Sequence, residues 1–205
     1  TLGASVIYAQ SAPVTRSKLT NPNKTGGDAA KPKIVVPPEK AQPVRMPKFE
    51  KPPVIDGKLD DEIWKSAVVL KDFYQTQPGD NIAPTKPTEV YLGYDAKHIY
   101  IAFYCFDEPD KVRATIPKRD NIWNDDYVGI LFDTFNDGRK AYEFDFSPYG
   151  IQADGIWTAG QGEDFNPDIV MESKGIITTD GWTVEVAIPF KSLRYVAGKD
   201  TLWCA

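Results

Sequence analysis

From Val54 onward the chain repeats one device: a short run in which apolar and polar side chains alternate, followed by a turn built on Asp, Asn or Gly. In "EVYLGYDAKHIYIAFYCFD", Val90, Leu92 and Tyr94 alternate, residues 95–97 turn, and Ile99 to Phe106 return with apolar residues on both faces. Such a pair is a hairpin entering the centre of a sheet. "YVGILFD" and "KAYEFDFS" flank the turn "TFNDGR", where Asn136, Asp137 and Gly138 tolerate positive φ. Tyr142, Phe144 and Phe146 then face one way, Glu143 and Asp145 the other. "DIVMESKGIITTDGWTVEVAIPF" repeats the pattern, with Asp180-Gly181 as the turn and Trp182, Val184, Val186 and Ile188 as the inward row. Short strands with period two and no long helical periodicity predict an all-β fold, an antiparallel β-sandwich.

One short helix is expected at the start of this domain. "VIDGKLDDEIWKSA" reads as an extended piece, a turn at Asp56-Gly57, and an Asp60 N-cap opening a helix that buries Ile63 and Trp64. Residues 10–52 are rich in Pro, Lys, Ser, Thr and Asn and nearly free of aromatics. Such a segment buries too little apolar area to offset its conformational entropy, so it reads as a disordered, Pro-rich linker of polyproline II character. Residues 1–9, "TLGASVIYA", place Ile7 and Ala9 as the end of a signal peptide cleaved before Gln10 does, which predicts export to the periplasm, outer membrane or extracellular space. The folded domain is expected over 53–205. It ends on "TLWCA", where Thr201 to Trp203 open a further strand that nothing completes, so the sequence reads as truncated there.

The chain's 205 residues carry a net charge of -5 at pH 7, with no clustered Lys and Arg to displace counterions, which excludes nucleic acid as a partner. His98 is the one histidine, so a nucleophile has a single candidate base, and neither a CxxC nor an HExxH motif is present. Asp125, Asp126, Asp133, Asp137, Glu143, Asp145 and Asp154 could supply a glycosidase pair by accident, but most fall at turns or outward strand positions, where a solvated face is expected. "DTFNDGR" offers oxygens from Asp133, Asn136 and Asp137. The twelfth position from Asp133 is Phe144 where an EF-hand needs a bidentate Glu, leaving a hairpin turn as the main reading and Asp133 and Asp137 as residual metal candidates.

The aromatic residues are more informative. Trp123, Tyr127, Tyr149 and Trp157 lie near strand ends, interleaved with Asn121, Asn124, Asp125, Gln152 and Asp154. A sugar presents apolar C–H faces and a rim of hydroxyls, so a sugar site combines aromatic platforms with side chains that bond the rim. The ligand candidates are Trp123, Asn124, Asp125, Trp157, Gln152 and Tyr149. Trp123 itself reads equally as a platform for a ligand or as a lid over the core.

Five segments, "VIDGKLDDEIWKSA", "EVYLGYDAKHIYIAFYCFD", "NDDYVGILFDT", "YEFDFSPYGIQADG" and "DGWTVEVAIPFKSL", resemble in order the family 9 carbohydrate-binding modules and their DOMON-like relatives. The resemblance spans roughly Pro53 to Leu202 and is nearest the N-terminal domain of Gram-negative outer-membrane proteins of unassigned function. It implies a β-sandwich that binds sugars without cleaving them, often attached to xylanases or other glycan-degrading enzymes, requiring no cofactor although characterised members hold structural calcium. It also implies two tryptophans clamping a terminal sugar. The first aligns with Trp123; Trp157 is taken as the second on local grounds. The outer-membrane relatives continue past a position like Cys204 into a β-barrel. Two positions depart from the pattern: a ligand-bonding glutamate six residues after the first tryptophan is here Gly129, and Ser147-Pro148-Tyr149-Gly150 lacks the usual Asn.

The expected function is a non-catalytic carbohydrate-binding module of an exported protein. The competing expectation is an interaction domain that docks on an attached outer-membrane β-barrel without binding sugar. Hydrolysis by this chain lacks a catalytic constellation.

Overall fold

The computed structural model describes residues 6–8, 42–75, 82–198 and 201–205. Two antiparallel sheets face each other. The first has the order β10-β11-β5-β4-β3, from β3 (Val68–Leu70), β4 (Thr88–Tyr94), β5 (His98–Phe106), β10 (Glu172–Ile177) and β11 (Gly181–Pro189). The second has the order β6-β7-β8-β9, from β6 (Val128–Phe132), β7 (Lys140–Phe146), β8 (Gln152–Thr158) and β9 (Gly162–Asp164). A small third sheet joins β1 (Val6–Tyr8) to β2 (Val44–Arg45) and, in parallel, to β12 (Leu202–Cys204).

The predicted inward rows meet between the two large sheets. Val90, Leu92, Tyr94, Ile99, Ile101, Phe103, Trp182, Val184, Val186 and Ile188 pack in one cluster with Ile130, Phe132, Phe144 and Phe146. Phe103 and Phe146 bridge the sheets with ring centroids 6.1 Å apart. The turns are those the sequence indicates: Asp95 Oδ1 accepts from the N–H groups of Lys97 and His98, and Asn136 (φ 52) and Gly138 (φ 66) both adopt left-handed backbone.

The other face of the five-stranded sheet is buried too, as the doubly apolar β5 requires. Tyr100, Ala102 and Ala187 pack there under Phe49 and Trp64. This moves the start of the folded part upstream of the sequence expectation. Met46 and Phe49, within the stretch read as linker, are each only 2% exposed. Phe49 N–H donates to Tyr94 O (2.6 Å), and its ring lies where any side chain at Gly93 would stand. The Pro-rich average of the segment hides these two apolar anchors. Val6–Tyr8, read as leader residues, form β1, while residues 9–41 of the expected leader and linker lie outside the described residues.

The helix also differs. It is a 3-10 turn over Glu62–Ser66 with Asp61, not Asp60, at its N-cap, and the Asp61 carboxylate accepts from Val54 N–H (2.7 Å) instead of from the helix. The turn is held from below by Glu185 on β11. Glu185 Oε2 accepts from the N–H groups of Asp56 (3.0 Å) and Gly57 (2.8 Å), and its Oε1 accepts from Trp64 Nε1 (2.7 Å). Its side chain is fully buried.

Candidate functional site

The sheet β6–β9 has a second face, opposite the core. Strand parity and cross-strand register put Gly129 and Leu131 of β6, Ala141, Glu143 and Asp145 of β7, Ala153, Gly155 and Trp157 of β8, and Glu163 of β9 on it. Much of its floor is glycine and alanine. Across this floor the Asp145 carboxylate lies against Gly129, so that any side chain at 129 would collide with Asp145 Oδ1. The solvated-face expectation fails for these acids: Glu143 and Asp145 are each 6% exposed, and Asp125, Asp133 and Asp154 are likewise buried. Outward strand parity does not ensure solvent contact where loops fold over a sheet. Here the chain after β9 does so, with Phe165 Cα 3.1 Å from the point where a Gly155 side chain would begin.

Trp123 sits at this face. It is half-buried and belongs to neither core cluster. Tyr127 meets it edge-on at 5.5 Å between centroids (interplanar 87°), and Phe165 lies tilted at 5.0 Å. The indole Nε1 donates to Asp120 O (3.1 Å). Phe165 was not singled out from the sequence; a lone aromatic inside the polar "GQGEDFNPD" was the available signal.

The loop carrying Trp123 is fixed to β8. Asp120, left-handed at φ 62, donates its N–H to Gln152 O (3.0 Å) and accepts from Asp154 N–H through Oδ1 (3.3 Å). Arg119 donates to Gln152 Oε1, Asp154 Oδ1 and Ile169 O, and pairs with Asp168. Asp154 is wholly buried, and its Oδ2 accepts from Ile169 N–H. Burial raises its carboxyl above the ordinary aspartate value, opposed by that N–H and by the Arg119 charge.

The six expected ligand residues do not all share one surface. Trp157 is on the outward face, paired in register with Ala141 and Glu163. Asn124 is exposed beside Trp123. Gln152, in contrast, has the parity of Phe146 and Asp154, faces the interior side, and is engaged by Arg119, Ser173 Oγ (2.7 Å) and Met171 O (3.3 Å). Tyr149 is 39% exposed in the turn between β7 and β8. Asp125 is a staple: its carboxylate accepts from Thr115 N–H (2.9 Å) and from Thr115 Oγ1. Replacing Asp125 by Ala is expected to lower the unfolding free energy by about 1–2 kcal/mol, read by urea denaturation. A direct ligand role would instead cost affinity at an unchanged midpoint.

Asp133 and Asp137 close their own turn. Asp133 accepts from Phe135 N–H (3.1 Å) through Oδ1 and from Gly138 N–H (2.7 Å) through Oδ2, and Asp137 accepts from Arg139 N–H (2.8 Å). Among the described residues no three His, Cys, Asp or Glu side chains converge as a metal-binding group, and both oxygens of the Asp133 carboxylate are engaged by N–H donors of its own turn.

A family model described as carbohydrate family 9 binding domain-like matches residues 55–202. No curated protein matches. Among solved structures, a family 9 carbohydrate-binding module from Caldicellulosiruptor kristjanssonii in complex with cellotriose is 17% identical, with a TM-score of 0.51 over 70% of this chain and 66% of that one. The same module in complex with glucose gives 17% identity and a TM-score of 0.51 over 70% and 67%. The crystal structure of a protein from Bacteroides uniformis ATCC 8492 gives 11% and 0.54 over 74% and 76%. At these identities the likeness is one of fold.

Proposed function

The chain belongs to the carbohydrate family 9 binding domain-like family, and from that premise we propose that the outward face of the β6–β9 sheet is a non-catalytic sugar-binding site. The observation that supports this placement is the ring group Trp123, Tyr127 and Phe165, set beside a floor of Gly and Ala under two carboxyl groups. Aromatic rings cover the apolar face of a pyranose, while the exposed Asn124 beside Trp123 supplies a partner for its hydroxyls. Trp157 offers a second aromatic surface on the same face. Ligand chemistry follows the modules of like fold, which bind cellotriose and glucose: neutral sugars and chain ends, held without covalent change.

Titration calorimetry against glucose, cellotriose and xylo-oligosaccharides tests this reading. Saturable heat with at least one is expected, and no heat with any glycan overturns it. Export and attachment to a β-barrel belong to the same proposal on the strength of the resemblance to outer-membrane proteins. Fractionation of cells expressing the complete reading frame is expected to place the protein outside the cytosol.

One observation favours the competing reading of an interaction domain without sugar. The Trp123 ring already packs on two protein rings and its N–H is bonded, as a structural tryptophan's would be. The two readings part at Trp123→Ala, which under the second loses stability and no ligand.

A further inference from the structure

The loop that presents Trp123 has no helix or strand through residues 107–127, yet its stretch 119–123 is bolted to β8. The bolt is a continuous series. Wholly buried Asp154 holds Arg119; the same guanidinium reaches Gln152 Oε1 and Ile169 O; Asp120, the next residue, bonds β8 through both its N–H and its carboxylate; and Asp120 O accepts the indole N–H of Trp123. Arginine suits this place because its planar fork satisfies three acceptors at once, which an ammonium on a flexible stem does not. Asp120 takes the left-handed backbone that an aspartate tolerates, which turns its N–H and its carboxylate toward β8 together. Each element points to the same consequence: the orientation of the indole is set before any ligand arrives.

We propose that Arg119 is the positioning residue of the sugar site, holding the Trp123 ring in its ligand-ready orientation through Asp154, Gln152 and Asp120. This rests on the sugar-binding reading for its ligand arm alone; the geometric arm stands without it. Arg119 touches no ligand in this scheme. It removes the ordering that an unfixed loop would have to undergo on binding, and its loss appears as weakened affinity.

The test uses the protein labelled with 5-fluorotryptophan, its five indole resonances assigned with Trp123→Phe for the ring in question. Two variants are compared. Arg119→Met removes the fork, while Arg119→Lys keeps a counter-charge for buried Asp154 and so guards against simple unfolding. Lys86→Met, which breaks the exposed Lys86–Glu108 pair, is the control. In both Arg119 variants the Trp123 resonance is expected to shift and broaden with the other four in place, and affinity for cellotriose to fall about tenfold. Lys86→Met is expected to leave both unchanged. An unmoved Trp123 resonance in Arg119→Lys and Arg119→Met overturns the proposal, as does unaltered cellotriose affinity in a wild type that binds it. If the wild type binds no glycan, the functional reading fails on its own and the resonance still decides the role of Arg119.

Discussion

Glu185→Ala is expected to lower the free energy of unfolding by about 4 kcal/mol, a large share of the roughly 5–15 kcal/mol that a domain of this kind has. The substitution leaves the N–H of Gly57 and the indole N–H of Trp64 buried with no acceptor, and that of Asp56 partly so. Each orphaned buried donor costs about 1–3 kcal/mol, and the vacated space costs more. The damage would spread, because Glu185 is where residues 56–64 dock on the five-stranded sheet and Thr183 Oγ1 adds a bond to Gly57 O (2.6 Å) beside it. Urea unfolding at pH 5 measures the loss. A change below about 1 kcal/mol would show that the segment is held by Trp64 and Phe49 packing alone.

The same carboxyl gives stability a pH dependence. Burial pushes Glu185 up from 4.5 to about 7, with the N–H groups of Gly57, Trp64 and Asp56 pulling the other way. The folded state therefore holds this proton more tightly than the unfolded chain does. Its contribution is complete below about pH 4.5, falls as pH rises toward 7, and is flat above, a change of about 3 kcal/mol across the window. Glu185→Gln removes the titration, so the wild type is expected to lose stability between pH 5 and pH 7 relative to that variant. Parallel curves for the two proteins over this range would refute the assignment.

What the sequence disclosed depended on whether hydrophobic alternation ran in the usual sense. For β4, β7 and β11 it did, and the inward rows Val90-Leu92-Tyr94, Tyr142-Phe144-Phe146 and Trp182-Val184-Val186-Ile188 can be read directly from period two. In β8 the sense is inverted. Gln152 and Asp154 share the parity of Phe144 and Phe146, while Ala153 and Gly155 face outward, because Arg119 and Ser173 satisfy the inward polar groups. No pattern within Gln152–Thr158 reveals that; the partners come from loops far along the chain. The candidate site was legible to the same extent. Trp123 was conspicuous by its setting, but Glu143 and Asp145 read as solvated until the register placed them on a covered face. Asp125 and Gln152, attractive as hydroxyl partners, proved to have Thr115, Arg119 and Ser173 instead. A polar side chain near an aromatic in sequence is a ligand group only if the fold leaves its bonds unspent, and that is a tertiary property.

Trp123→Ala is expected to weaken cellotriose binding by about 30- to 100-fold, the equivalent of about 2–3 kcal/mol for an aromatic anchor. The fold should survive this change. The ring is half-buried, lies outside both core clusters, and has Tyr127 and Phe165 as aromatic neighbours, so the stability cost is expected at about 1–2 kcal/mol. Trp123→Phe refines the argument, since it keeps an aromatic face but drops the Nε1 bond to Asp120 O; its affinity should fall between those of wild type and Ala. Trp157→Ala supplies the comparison on the same sheet face, with a measurable loss expected if a ligand spans the floor from Tyr127 toward β9 and none if Trp123 acts alone. Calorimetric affinity and the urea midpoint must be measured on the same variants, because the sugar-binding and scaffold readings differ in which of the two moves. A loss above about 3 kcal/mol in stability, with any wild-type affinity carried over to the refolded variant, would make Trp123 a structural lid and shift the search for a ligand platform to Trp157 and Phe165.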